Sequence, residues 1–503
     1  MASEKITAVP FEEIELKLCL PCADSSILEP LLVGLPLLAH CKARREHLHN
    51  IYFDTPDDLL NRQRTALRLR RIGNAEQPVW LQTLKMGGNG DSALSQRGEW
   101  ETPVSKATLE FGMLEATPWA QMDPDGSLMR ALTPRFTTDF TRTLWTIRNR
   151  DDASVVEIAL DRGHIDANGQ NTPICELELE LKAGEPSALF AIARQIASAL
   201  AVMPLAASKA QRGFALANHT LDQPTRARPP DLSPDMSQSE AARCVLRDVL
   251  NHFSANLHTL LTSDDPEVVH QARIAWRRMK AALSVFKKTP LVQDAPSWHD
   301  LKPLLDGLGR LRDLEVASLQ TLPMLANAYV GASSKRKVHW HALQVTLAQA
   351  AGNQLQWVRG ALLSPSAGGT LLALTEWLET KPAGAQSGGT KRKNKVALRP
   401  WVRQRMERLR GQIKRTLKKT PNAANLHRAR LLAKRLRYSV EAFRSVLPKR
   451  RAQRWHRQAN HLQSTIGSER DLQQALAIAR HLKAHSSVLK FLNVVSLGRH
   501  HAR

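Results

Sequence analysis

Glu13-Ile14-Glu15-Leu16-Lys17-Leu18 puts a charged side chain at every second position. In a strand, successive side chains point to opposite faces, so Glu13, Glu15 and Lys17 share one side and Ile14, Leu16 and Leu18 the other. One such strand alone reads as half-exposed, with its polar face in water. The pattern recurs, however. Arg68 and Arg70 flank Leu69; Arg97, Glu99 and Glu101 share a face opposite Trp100; Glu176, Glu178, Glu180 and Lys182 alternate with Leu177, Leu179 and Leu181. Carboxylates gather on some strands and guanidinium or ammonium groups on others, which makes sense if the charged faces converge. Opposed carboxylates would hold a hard divalent cation through oxygen. Intervening Arg and Lys would grip phosphate oxygens, Arg in bidentate fashion. A linear, multiply negative triphosphate is the natural guest, and the chemistry would be phosphoryl transfer to water. No Ser-His, Cys or His nucleophile motif is present, so direct hydrolysis is expected without a phospho-enzyme.

Charged faces converge when the strands close into a barrel, which leaves no sheet edge and buries the apolar faces under helices and loops. The strand-period text with its turn signals runs to about Asn218. Within it, Glu13-x-Glu15-x-Lys17, Tyr52-Phe53-Asp54-Thr55-Pro56, Ala66-Leu67-Arg68-Leu69-Arg70, Thr83-Leu84-Lys85, Arg97-x-Glu99-x-Glu101, the Glu176–Lys182 run and Ser208-Lys209-x-x-Arg212-Gly213 follow in order. This set resembles the CYTH family, the triphosphate tunnel metalloenzymes. The resemblance implies that Glu13, Glu15, Glu176 and Glu178 are metal ligands, for Mg²⁺ or Mn²⁺. It implies that Lys17, Arg68, Arg70, Lys85, Arg142 and Lys209 grip phosphates, and that Glu99 and Asp161 serve the second metal or the attacking water, with Lys85 also placed at the reaction. Glu101 and Glu180 lie in phase with the site as either ligands or rim residues. Arg212 either binds phosphate or closes the barrel through a salt bridge.

At 503 residues the chain exceeds what a single core usually organises, about 250–300 residues. The net charge of +24 is unevenly spread: Met1–Thr220 holds 23 Lys+Arg against 28 Asp+Glu, and Leu221–Arg503 holds 48 against 19. Only the second part should draw polyanions over distance. No stretch approaches a membrane span; Leu189–Ala207 carries Arg194 and reads as an amphipathic helix. No secretory leader is visible, and five sparse cysteines argue against a disulfide framework, so a cytoplasmic protein is expected. Cys19-x-x-Cys22 lacks the second pair that a zinc site needs. His47 and His49, at a loop-to-strand entry, read as structural.

After Pro-rich Asp222–Ser239, read as a linker, the pattern switches to helix period. His270-x-x-Arg273-x-x-x-Arg277-Arg278-x-Lys280 matches His427-x-x-Arg430-x-x-x-Lys434-Arg435-x-Arg437 at an offset of 157 residues, and Phe286 matches Phe443. Leu308-Gly309-x-x-Arg312-Asp313-Leu314 matches Ile466-Gly467-x-x-Arg470-Asp471-Leu472 at an offset of 158. Gly-, Ser- and Lys-rich Lys381–Pro400 reads as a flexible connection between the copies. The C-terminal half is therefore expected to be an all-α duplicated bundle, the whole chain an α+β multidomain protein with an N-terminal antiparallel β-barrel tunnel. Boundaries fall at 1–218, a linker 219–239, and 240–503, with repeats at about 240–380 and 400–503.

On a helical wheel the two copies gather their basic residues on one face, opposite Met279, Leu283 and Phe286 in the first. Few carboxylates are interspersed as i,i+4 partners, so a solvated face explains the stripe less well than a polyanion groove. This half resembles the CHAD domain, which implies inorganic polyphosphate as ligand for His270, Arg273, Arg277, Lys280, His427, Arg430, Lys434 and Arg437. Nucleic acid is the nonspecific alternative, disfavoured because stacking aromatics reduce to Trp276 and Tyr438. Arg312-Asp313 and Arg470-Asp471 read as charge pairs that cap turns. A triphosphatase whose helical half localises it to polyphosphate is the leading reading. A non-catalytic polyphosphate scaffold and a hydrolase of an organic triphosphate, such as thiamine triphosphate or a nucleotide, stand as alternatives.

Overall fold

Alternation of apolar and charged residues is resolved into nine strands: β1 Phe11–Cys19, β2 Arg44–Asp54, β3 Thr65–Ile72, β4 Val79–Met86, β5 Leu94–Val104, β6 Thr133–Arg148, β7 Val155–Ala167, β8 Gln170–Ala183 and β9 Met203–Pro204. The structure, a computed structural model, describes residues 11–21, 24–73, 78–88, 92–380, 397–418, 422–465 and 467–501. Cys22, Ile466 and most of the Lys381–Pro400 stretch lie outside the described residues. The strands pair in the order β5-β4-β3-β2-β6-β7-β8-β1-β9, and β1 also pairs with β5, which closes eight antiparallel strands into a barrel. The expected tunnel architecture is present.

The barrel is inverted in the sense the sequence required. Leu16, Leu18, Ile158, Leu160, Leu177 and Leu179 are fully buried on its outside, beneath Leu189, Phe190 and Ile196 of the Ser187–Ala199 helix. Burying each such side chain contributes about 1.5–3 kcal/mol. A second outer cover, residues 111–132, packs Leu114, Trp119 and Leu128 over Leu67 and Leu84. Inside, the barrel is divided. Leu48, Tyr52, Phe140, Ile165 and Ile174 share the inward phase of their strands and pack with Phe214 of the Lys209–Ala217 helix, which fills one end of the interior. That helix starts at a capping box, Ser208 with Gln211. Its Gly213 is dictated by space, because a Cβ there would lie 2.1 Å from the Phe136 ring.

Two compact units emerge. One comprises the barrel sequence through Gln223 together with 261–263 and 363–380; the other comprises the remaining residues. The Pro365–Thr380 helix therefore belongs to the barrel unit, although in sequence it lies between the two basic repeats. It packs against the Ser187–Ala199 helix and β9, with Leu372 in the outer barrel core and Ser92 donating to Glu379 at 2.7 Å. Nearly all its faces are buried, as expected of a helix apolar all round. At Gly368 a Cβ would meet the Val202 carbonyl oxygen at 1.9 Å, so no larger residue permits this approach.

The second unit is helical, with no helix among the described residues long and apolar enough to cross a membrane. Residues 221–237 form neither helix nor strand, yet the Thr225 carbonyl accepts from His252 and Asn256, and Leu232 N–H donates to Ser445 Oγ at 3.0 Å. The first basic copy lies on the Pro266–Phe286 helix, capped by Asp265 with Pro at its start. The second lies on Ala423–Ala442, and these two helices pack together where Phe286 and Phe443 meet at 5.5 Å. The duplicated pattern thus produces a face-to-face pair.

Candidate active site

Every strand of the closed barrel contributes to an interior cavity of about 560 Å³. Register explains how the charges meet. Lys17 lies opposite Glu178 and Glu15 opposite Glu180; Lys85 lies opposite Glu99; Arg142 lies opposite Asp161, which in turn faces Glu176. Lys17, Lys85 and Arg142 thus each face a carboxylate across the ladder, whereas Glu15 and Glu180, and Asp161 and Glu176, are like-charged pairs that need cations from elsewhere. On the β1 side, Lys85 Nζ reaches Glu13 at 2.7 Å and Glu99 at 3.1 Å. Glu15 is bonded by Lys17, by Ser95 at 3.1 Å and by Arg97 at 3.3 Å. Burial alone would raise the Glu99 carboxyl, but the charges of Lys85 and Arg68 override it and hold it below its ordinary value.

Behind this lining Asp161 and Glu176 are fully buried, and with Glu178 they bring three carboxylate oxygens within 4.8 Å of one another. Glu13 and Glu15 lie outside that group. Lys209, at the helix start where the backbone dipole is positive, reaches Glu176 at 2.5 Å, Asp161 at 2.6 Å and Glu178 at 2.9 Å. Arg142 grips Asp161 at 2.6 Å and Glu178 at 2.5 Å. Against the desolvation that would raise it, Lys209 and Arg142 hold the Glu178 carboxyl well below its usual range. Arg212 bonds Glu176 at 3.1 Å and the Pro173 carbonyl at 2.5 Å, fastening the helix to β8. Glu180 differs: burial, with Glu13 and Glu157 nearby, raises its carboxyl despite Lys182. Glu101 accepts from Thr83 at 2.9 Å.

Arg68 and Arg70 supply positive charge from the facing wall. Arg68 is shared between Glu99, 3.6 Å away, and the Tyr52 hydroxyl at 3.4 Å. Arg70 donates to Asn50 Oδ1 at 2.9 Å; burial, then the charges of Arg68 and Arg142, push its guanidinium down to about 10. An incoming anion would offset that crowding of positive charge. Sequence reading missed Arg44, Glu46 and Glu157, which also line the cavity. The signal was available in phase: Arg44 and Glu46 share the parity of Asn50 and Tyr52, and Glu157 that of Asp161. His47 and His49 lie within β2, not at a loop, and clasp Asp139 at 2.8 and 3.1 Å. Cys19 is pushed up to about 12 by burial and is no nucleophile at neutral pH.

In the helical unit a second constellation forms. Lys434 is pushed down to about 7, by burial and then by Arg277, Arg430, Arg470 and Arg437. Arg273 Nε and Arg430 Nε are buried with no hydrogen-bond acceptor. His270 is half-buried and His427 exposed; Lys280 lies close enough to Arg277 and Arg273 for their charges to lower it beyond the effect of burial. Arg437 stacks over Tyr438 and pairs with Glu441 at 3.7 Å. One helical-wheel assignment and one turn assignment change. Arg278 turns away from the stripe and, 3% exposed, bonds Asp248 at 2.9 Å. Arg312-Asp313 sits inside the Lys302–Val316 helix, not at a turn, with Arg312 paired to Glu315 at 3.3 Å.

Residues 12–214 match the CYTH domain family, and residues 244–480 match the CHAD domain family. The chain carries a CYTH domain followed by a CHAD domain. Over 210 residues it is 34% identical to the inorganic triphosphatase of Haemophilus influenzae, a match covering 41% of this chain and 56% of that relative's length. Among solved structures, the CHAD domain from the plant Ricinus communis aligns at 25% identity, covering 56% of this chain and 92% of that one, with a TM-score of 0.46. A Hippeastrum protein reported with a dominant triphosphatase activity aligns at 18% identity, covering 40% of this chain and 95% of that one, with a TM-score of 0.30.

Proposed function

We propose that the CYTH domain hydrolyses inorganic triphosphate to pyrophosphate and phosphate in its barrel. The observation that carries this reading is the pairing of inward carboxylates and inward cations around one cavity inside the barrel. A pure polyanion binder gains nothing from buried carboxylates unless a cation neutralises them. The donor set is oxygen only, which suits Mg²⁺ or Mn²⁺ and disfavours softer ions. Glu176 and Glu178 from β8, with Asp161 from β7, form the acidic group that would hold it, and Glu13 and Glu15 of β1, which lie outside that group, are assigned to the metal by the family resemblance alone. When bound, the ion supplies Lewis-acid charge to the phosphate oxygens.

The chain's own residues do the positioning that phosphoryl transfer chiefly needs. Arg68 and Arg70 grip the phosphate chain from one wall, with Lys17, Lys85, Arg142 and Lys209 converging from the others. Glu99, kept ionised by Lys85 and Arg68, or Asp161 would orient the attacking water at the terminal phosphorus. Arg212 acts as the tie that closes the barrel. Phosphate release from triphosphate, measured with Mg²⁺ or Mn²⁺ and then with EDTA, tests the proposal. Glu15→Gln and Lys85→Ala are each expected to abolish release with far-UV circular dichroism unchanged; full activity in either sinks the tunnel assignment. A parallel panel of thiamine triphosphate and nucleotides ranks organic substrates against the inorganic one.

For the CHAD domain we propose inorganic polyphosphate as ligand, on the crowding of Lys434 by four arginines. Titrating long-chain polyphosphate against the full chain should give tighter binding than single-stranded DNA of matched charge. Equal affinity removes the specificity.

A further inference from the structure

The helical unit contains a cavity of about 660 Å³ in which the first basic stripe ends against aromatic rings. Arg273, Arg277, Lys280, Lys302 and Arg310 line it, balanced by Asp306 and Asp313 alone. One wall is Trp298 with His299. The same two residues also line an adjoining cleft of about 440 Å³, whose other walls include Leu283, Val292 and Pro296. A cationic compartment and an apolar one thus share a single indole. That ring is held in place: Trp276 meets it edge-on at 5.9 Å, and Trp276, 6% exposed, is itself packed on Phe253 at 5.2 Å. Trp298 remains half-buried, with surface left to offer.

A bare phosphate chain uses only the cationic compartment and leaves the cleft wet. A flat ring joined to a short run of phosphates fills both. We propose that this cavity binds a nucleoside diphosphate, with its base against Trp298 and its phosphates among Arg273, Arg277 and Lys302. Five cations against two carboxylates leave three positive charges, which match the about three negative charges of a diphosphate at neutral pH. Indole–base stacking is sequence-tolerant and strong enough to add about tenfold or more in affinity. Each compartment by itself falls in the usual range for small-ligand sites, about 300–1,000 Å³. The inference does not rest on the barrel reading or on polyphosphate binding.

Isothermal titration of the full chain with ADP, pyrophosphate and adenosine tests it, in the wild type, Trp298→Ala and Trp298→Phe. ADP is expected to bind about tenfold or more tightly than either fragment. Trp298→Ala removes that advantage, and Trp298→Phe, which keeps a ring and guards against a folding artefact, retains most of it. Triphosphate turnover and long-chain polyphosphate affinity stay unchanged in both variants. ADP binding no tighter than pyrophosphate, or equally tight in Trp298→Ala, overturns the proposal. So does a thymidine oligomer that outcompetes ADP and loses affinity in Trp298→Ala, which would make single-stranded nucleic acid the occupant.

Discussion

Lys209 is the residue on which the most buried charge converges. Its ammonium serves Asp161, Glu176 and Glu178 together, and removing one partner of a buried charge group costs about 3–5 kcal/mol. Lys209→Ala is therefore expected to lower the unfolding free energy by that order, read as a lower urea midpoint, and to abolish triphosphate hydrolysis; an unchanged midpoint would mean the carboxylates are hydrated or otherwise paired. Lys434 makes the opposite kind of prediction. Its neighbours and burial hold it near 7, so it is only partly charged at neutral pH, and a bound polyanion favours the charged form. Polyphosphate affinity should fall as pH rises from 6 to 8, with proton uptake on binding. Lys434→Met should flatten that dependence; an equally steep profile in the variant would place the titration elsewhere. Much of the barrel site was legible from alternation alone, because Glu13, Glu15, Glu176 and Glu178 announce their face by parity. What the parity could not show is partnership. That Asp161 belongs with Glu176 and Glu178, rather than with Glu99, depends on β7 and β8 being neighbours. That Trp298 meets Trp276 depends on a loop with no periodicity to read.

The Lys209–Ala217 and Pro365–Thr380 helices show how elements position those residues. The first needed a capping signal and a glycine, and both are visible in Ser208-Lys209-x-Gln211-Arg212-Gly213. Its role as filling for the barrel interior was not visible, since Phe214 looks like any apolar helix residue. The second helix was assigned in sequence to the first basic repeat simply by adjacency, and only its all-round apolar character hinted at deep burial. Leu372 is fully buried against the outer barrel core, so Leu372→Ala should cost about 2–5 kcal/mol. In calorimetry of the full chain, the transition that triphosphate shifts upward should fall, while the transition that polyphosphate shifts stays in place. A loss confined to the polyphosphate-shifted transition would contradict the assignment of this helix to the barrel unit.

Across the whole molecule, charge is partitioned: −5 up to Thr220 and +29 beyond it. Exposed charges are screened beyond about 10 Å at 0.1 M salt, whereas buried pairs are screened much less. The association rate of polyphosphate is thus expected to drop steeply between low and high salt, and the KM for triphosphate to move by a smaller factor. Stopped-flow binding beside steady-state kinetics checks this; parallel salt dependences would mean that one field serves both. The placement of the Pro365–Thr380 helix also bears on synthesis. A ribosome adds about 5–20 residues per second, and roughly 160 residues separate Gln223 from Thr380, so for on the order of ten seconds the nascent barrel lacks the helix that covers β9. During that interval its apolar wall is exposed to chaperones and to other nascent chains. A gene fragment cut at the Pro-rich stretch would make the exposure permanent.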